Sequence, residues 1–185
     1  MANPLFDRVV PKEFAARGQL IESKGEVGDF ERLVEIVEAD IAAVSEDMRP
    51  QRWRAGPVDI RLQFGWADGP QGIPSLTGRA SAHIPAVCQR CLEAFELSLE
   101  ASLKILLVEP GEWPDLAEYE VWELEEEVLR LADIVEESLV MAMPLAPTHG
   151  SMDCCAGLVV ENIDSGSETA RPFADLRSKM EKSNN

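Results

Sequence analysis

The sequence is short of basic, histidine and aromatic side chains. Its 185 residues include 17 Lys and Arg against 34 Asp and Glu, with two His, a single Tyr and a formal net charge of -17. No run approaches the length of roughly 20 uninterrupted apolar residues that a membrane helix needs. The N-terminus also lacks the basic-then-apolar layout of a secretory signal. We therefore expect a cytoplasmic protein that does not act at a membrane.

Patterns that mark a catalytic centre are missing as well. His83 and His149 are the only histidines, and spacing does not select a nucleophile with a base and an orienting acid. The sequence has no glycine-rich phosphate loop and no metal-binding His-Glu motif. We expect a protein that is not an enzyme and has no small-molecule substrate.

Length and composition favour one domain. Hydrophobic residues make up 45% of the chain, enough to fill one core. From Thr148 onward large apolar side chains become rare. Such a segment cannot bury enough apolar surface to offset the conformational entropy that it would lose on folding. We expect a single domain over residues 1–147 and a mostly flexible tail over residues 148–185, with a short docking helix near residues 171–180.

Hydrophobic periodicity predicts an α+β fold. Apolar residues recur at helical spacing from Asp29 to Val44, with Asp29 as the N-cap, and again from Leu129 to Met143. A period of two predicts strands over residues 58–64, 76–84 and 95–107. Shorter elements are predicted over residues 11–17 (helix), 19–27 (strand) and 119–124 (edge strand). We expect an antiparallel meander sheet packed against the helices.

The four cysteines form two close pairs. Cys88 and Cys91 stand in C-Q-R-C at the predicted bend between two strands, and Cys154 and Cys155 are adjacent. Two thiolates at this spacing can share a zinc ion, which takes four ligands. His149 and Cys154 are candidates to complete such a site. Two alternatives stay open: reduced thiols packed at the end of the sheet, or a redox pair that lacks the helix N-terminus needed to lower a thiol pKa.

Acidic residues concentrate in one segment. The segment from Glu109 to Glu137 contains twelve acidic residues and one basic residue, Arg130, which gives it a local net charge of -11. A solvated face is the simplest interpretation. As a binding surface, it would suit a basic protein better than a phosphate backbone. The candidate protein-binding residues are Glu123, Glu125, Glu126, Glu127 and, in the tail, Phe173.

One basic patch departs from the general acidity. Its members are Arg49, Arg52, Trp53, Arg54 and Arg61. Guanidinium groups contact phosphate and an indole can stack on a base, so the patch is a candidate RNA-binding surface. An exposed linker whose tryptophan packs on the sheet is the favoured alternative.

The segment Cys88-Gln89-Arg90-Cys91-Leu92, followed by a long alternating strand, resembles the YceD family. Residues 118–120, 133–139 and 141–149 follow in the family's order, and residues 171–176 resemble the Pro-Phe segment near the end of proteobacterial members. The resemblance implies a role in accumulation of large-subunit ribosomal RNA, hence in ribosome biogenesis, with no established catalytic activity. Many members carry a cysteine-rich tail that could complete a metal site, but Val159 and Asn162 occupy two of those cysteine positions here.

The leading hypothesis is therefore a non-enzymatic ribosome biogenesis factor. It would bind a basic ribosomal protein or large-subunit precursor RNA, and the charge balance favours the protein. The alternatives are a zinc-stabilised structural or interaction module and, less favoured, a thiol oxidoreductase. Apart from that zinc, no cofactor is expected.

Overall fold

The structure, a computed structural model, describes residues 4–67 and 72–150. Its elements in chain order are β1 (Arg8–Val9), α1 (Pro11–Ala16), β2 (Leu20–Glu26), α2 (Glu31–Ile41), β3 (Pro57–Ala67), β4 (Ile73–Val87), β5 (Ala94–Val108), β6 (Glu120–Glu123), β7 (Leu129–Arg130) and α3 (Leu131–Met141). The tail prediction for residues 151–185, including the docking helix, Cys154, Cys155 and Phe173, lies outside the described residues.

Five strands form the main sheet, in the order β2-β3-β4-β5-β6. The antiparallel meander predicted from the period of two is confirmed, because β3, β4 and β5 pair antiparallel and β2 joins them in the same sense. Alternate residues, such as Leu62, Leu76 and Leu103, point into the core. The α+β class is thereby confirmed.

The last strand of the sheet runs in a direction that the sequence did not predict. β6 lies at the edge as expected, but it pairs parallel with β5, with Ile105 opposite Glu120 and Val108 opposite Glu123. The sheet is therefore mixed. Residues 109–119 return the chain along the sheet before β6 begins, and a four-residue strand carries no pattern that indicates its direction.

The three helices pack on the sheet, and α2 and α3 also contact each other. α1 packs on β3 and β4, α2 on β4, and α3 on β4, β5 and α2. Leu33 and Val37 of α2 and Ile134 and Leu139 of α3 are fully buried in the main core. These apolar stripes are the ones that the helical periodicity predicted.

The N-terminus of α2 is capped differently from the prediction. Asp29 accepts a hydrogen bond from the Glu26 backbone N–H at 2.8 Å, in the turn before the helix. The N–H groups of Arg32 and Leu33 donate instead to the Glu136 carboxylate of α3, at 2.7 and 3.2 Å. A carboxylate from α3 thus satisfies the first turn of α2, a tertiary contact that local sequence rules cannot anticipate.

Two further features complete the described structure. β1 and β7 form a small antiparallel ladder, with Val9 opposite Leu129, which the sequence did not predict. Within residues 4–67 and 72–150, no helix has the length and hydrophobicity of a membrane-spanning segment.

Candidate functional site

The cysteine bend and the acidic segment lie at opposite ends of the β4–β5 ladder. The ladder runs from Ser75 opposite Leu106 to Val87 opposite Ala94, a length of about 40 Å at the usual rise of a strand. The cysteine bend closes one end. The start of β4 and the end of β5 lie beside the acidic segment at the other.

The bend positions both thiols by backbone geometry. The Cys88 N–H donates to the Glu93 carbonyl, and the Leu92 N–H donates to the Cys88 carbonyl, each at 2.9 Å. Leu92 adopts a φ of 61°, a left-handed conformation that costs a leucine roughly 1 kcal/mol or more. Cys88 is fully buried and Cys91 is half-buried.

His149 reaches this bend from the segment after α3. The Gln89 N–H donates to the Pro147 carbonyl at 2.9 Å, and the Arg90 guanidinium donates to the His149 carbonyl at 2.5 Å. The imidazole ring lies against the Phe95 ring with centroids 4.7 Å apart. These contacts fix a side chain that is 58 residues from Cys91 in sequence.

The structure brings together three of the four residues predicted as metal ligands. His149 Nδ1 lies 3.4 Å from Cys91 Sγ, and the ligand atoms of Cys88, Cys91 and His149 are all within 4.8 Å of one another. We call these three residues the Cys–His cluster. The fourth predicted ligand, Cys154, is outside the described residues.

The pKa of the Cys88 thiol is lowered from 9.0 to about 5. Burial is the largest single effect and would raise this pKa, but hydrogen bonds from the backbone N–H groups of Cys91, His149 and Arg90 together outweigh it. The expectation that no such lowering would occur without a helix N-terminus was wrong. Amide groups of the bend stabilise the thiolate instead.

A groove of about 640 Å³ lies at the opposite end of the ladder. Its rim carries five glutamates and one lysine: Glu109, Glu112, Glu125, Glu126, Glu127 and Lys12. Its apolar lining includes Val10, Pro11, Ile73, Leu107 and Leu124. We call it the acidic groove.

Only part of the negative charge of this groove is balanced. Lys12 pairs with Glu109 at 3.0 Å and Arg8 with Glu126 at 2.7 Å, both exposed to solvent. Glu112, Glu125 and Glu127 make no ion pair with any residue in the described ranges. The groove raises the pKa of Lys12 above 10.5, chiefly through the hydrogen bond to Glu109, with help from the charges of Glu112 and Glu127.

The predicted protein-binding residues are therefore placed as follows. Glu125, Glu126 and Glu127 line the acidic groove, whereas Glu123 ends β6 outside its lining. Phe173 is outside the described residues. Sequence reasoning missed Lys12 and Glu109 as members, since they meet only because α1 packs on β3 and β4, where Lys12 pairs with Glu109 just after β5. The charge run beginning at Glu109 was the signal that could have included Glu109 and Glu112.

Three of the predicted RNA-binding arginines, Arg49, Arg54 and Arg61, already contact protein groups. Arg49 donates to the Val44 and Ala42 carbonyls at 2.9 Å, Arg54 pairs with Glu38 above the Trp53 ring, and Arg61 pairs with Glu22 on the main sheet. Trp53 packs against the core, as the linker alternative predicted. Arg52 is exposed. RNA binding through these residues stays a prediction.

The fold and the two sites define an acidic α+β protein with a dithiol bend. The family described as "Large ribosomal RNA subunit accumulation protein YceD" matches residues 76–182, and the chain belongs to this YceD family. The Large ribosomal RNA subunit accumulation protein YceD of Haemophilus influenzae is 31% identical over 101 residues, covering 52% of this chain. The chain spans 57% of that relative's length. No solved structure matches the chain.

Proposed function

We propose that the protein is a non-catalytic cytoplasmic factor that supports accumulation of large-subunit ribosomal RNA by holding a basic segment of a ribosomal protein in the acidic groove. Membership in the YceD family supports the ribosomal context. One observation carries the binding mode: the acidic groove places unbalanced carboxylates around an apolar lining.

This arrangement suits the side chains of lysine and arginine. Their aliphatic stems can cover apolar surface while the charged heads reach carboxylates at the rim. A single exposed ion pair contributes only about 0–1 kcal/mol, so the affinity depends on several carboxylates acting together. Their combined field also speeds the encounter with a cationic partner.

An RNA partner would meet a less favourable surface. Phosphates would approach a chain of net charge -17, and Arg49, Arg54 and Arg61 already hold protein groups. Affinity for RNA backbone depends on cationic side chains that neutralise phosphates. Protein contact is therefore the larger electrostatic attraction.

A pull-down from RNase-treated extract tests this proposal. The full chain should retain a ribosomal protein, and its retention should fall as salt is raised. A groove variant, Glu112→Gln with Glu125→Gln and Glu127→Gln, should lose about tenfold or more of the captured protein.

A charge-matched variant distinguishes the groove from net charge. Glu31, Glu35 and Asp40 are exposed on α2 and make no ion pair with a described residue. The variant Glu31→Gln, Glu35→Gln and Asp40→Asn removes the same charge and should capture as much as the unmodified chain. Equal losses in both variants, or loss of every ribosomal protein after RNase treatment, would contradict the proposal.

A further inference from the structure

We infer that Cys88, Cys91 and His149 form a zinc site in which two thiolate sulfurs and the imidazole Nδ1 bind one Zn²⁺ ion. This site does not depend on the proposed function. Its histidine ligand comes from the segment after α3.

The distances within the Cys–His cluster fit tetrahedral zinc. At the tetrahedral angle, bond lengths of about 2.3 Å to sulfur and about 2.0 Å to nitrogen place a sulfur and a nitrogen ligand about 3.5 Å apart, and two sulfurs about 3.8 Å apart. The observed Sγ–Nδ1 distance is 3.4 Å, and no pair of ligand atoms is more than 4.8 Å apart. Small side-chain rotations are enough to close the cluster around the ion. Water or a further side chain would fill the fourth position.

The surroundings hold the ligands in place before a metal binds. Two hydrogen bonds fix the bend around Cys88, and contacts from Gln89, Arg90 and Phe95 fix the position of His149. A zinc ligand set is more selective when neighbouring groups orient each ligand. Here the orienting contacts come from residues of the same bend and of β5.

A metal at this position would join distant parts of the chain. Cys91 and His149 are 58 residues apart, and the ion would fasten the segment after α3 to the end of the β4–β5 ladder. Because ligand binding to the folded state stabilises it, zinc should raise the unfolding temperature.

Metal binding by the tag-free, reduced chain tests the inference. The purified protein should hold equimolar zinc, and cobalt substitution should give thiolate charge-transfer and tetrahedral d–d absorption bands. Affinity for zinc should fall by about tenfold or more in His149→Ala and in Cys91→Ser. Cys91 and His149 are half-buried, and circular dichroism of each metal-free variant checks that it folds.

Two further variants provide the control and the rescue. His83→Ala removes the other histidine, which lies exposed on β4, and should bind zinc like the unmodified chain. His149→Cys should retain zinc, with a stronger thiolate band in its cobalt spectrum. The inference is overturned if the unmodified chain binds no zinc, or if folded His149→Ala binds it as tightly as His83→Ala.

Discussion

The two ends of the β4–β5 ladder differ in how they hold polar groups. At the bend, the Cys–His cluster is buried or half-buried, and hydrogen bonds and the Phe95 ring contact hold it in place. At the other end, the carboxylates of the acidic groove are exposed, and some have no described ionic partner. Changes at the bend should therefore affect folding stability, whereas changes at the groove should affect binding and leave the fold intact.

The largest effect on stability is expected at Gly78, which lies within β4 between the two ends of the β4–β5 ladder. A Cβ atom at Gly78 would lie 2.1 Å from the Arg61 carbonyl oxygen, so Gly78→Ala forces β3 and β4 apart. We expect a loss of about 3 kcal/mol or more of unfolding free energy, measured by urea denaturation. Gly65→Ala is the matched control, because its Cβ would meet its nearest atom at an ordinary 3.8 Å. Similar stabilities of the two variants would refute this account of the ladder.

An intermediate, pH-dependent effect is expected at the bend. Since the pKa of Cys88 falls from 9.0 to about 5 on folding, the thiolate stabilises the folded state fully above pH 9 and loses this contribution as the pH falls through 5. In reduced, metal-free protein, the stability difference between the unmodified chain and Cys88→Ser should widen as the pH rises from about 5 toward 8. Comparing the two chains cancels the titration of the many carboxylates. A difference independent of pH would show that Cys88 stays protonated.

The smallest effect on stability is expected at the groove. The combined change Glu112→Gln, Glu125→Gln and Glu127→Gln removes exposed charges that have no described ionic partner. Its unfolding free energy should stay within about 0.5 kcal/mol of the unmodified value. A loss of about 2 kcal/mol or more in thermal or urea unfolding would mean that these carboxylates hold the fold together.

Sequence patterns predicted the elements better than the contacts between them. The period of two located β3, β4 and β5 because their alternate residues line the core. The direction of β6 and the Glu136 cap of α2 depend on segments distant in sequence, which no local pattern reports.

The candidate sites show the same limit. The spacing of Cys88 and Cys91, together with His149 close to Cys154 in the sequence, was enough to suggest the Cys–His cluster. The amides that lower the Cys88 pKa could be found only in the structure. The charge run identified the acidic segment, but α1 and the end of β5 were needed to shape the groove. The arginines read as one basic patch in the sequence, whereas only the structure shows that Arg61 is paired with Glu22 of the neighbouring strand β2.

The central claim is that the acidic groove, and not the cysteine bend, binds the ribosomal protein. A pull-down that compares variants of these two sites tests it most directly. From RNase-treated extract, Cys91→Ser and the charge-matched variant of α2 should retain the same ribosomal protein as the unmodified chain. The groove variant should lose it. Retention by the groove variant together with loss in Cys91→Ser would contradict the account, because it would place the partner-binding surface at the cysteine bend.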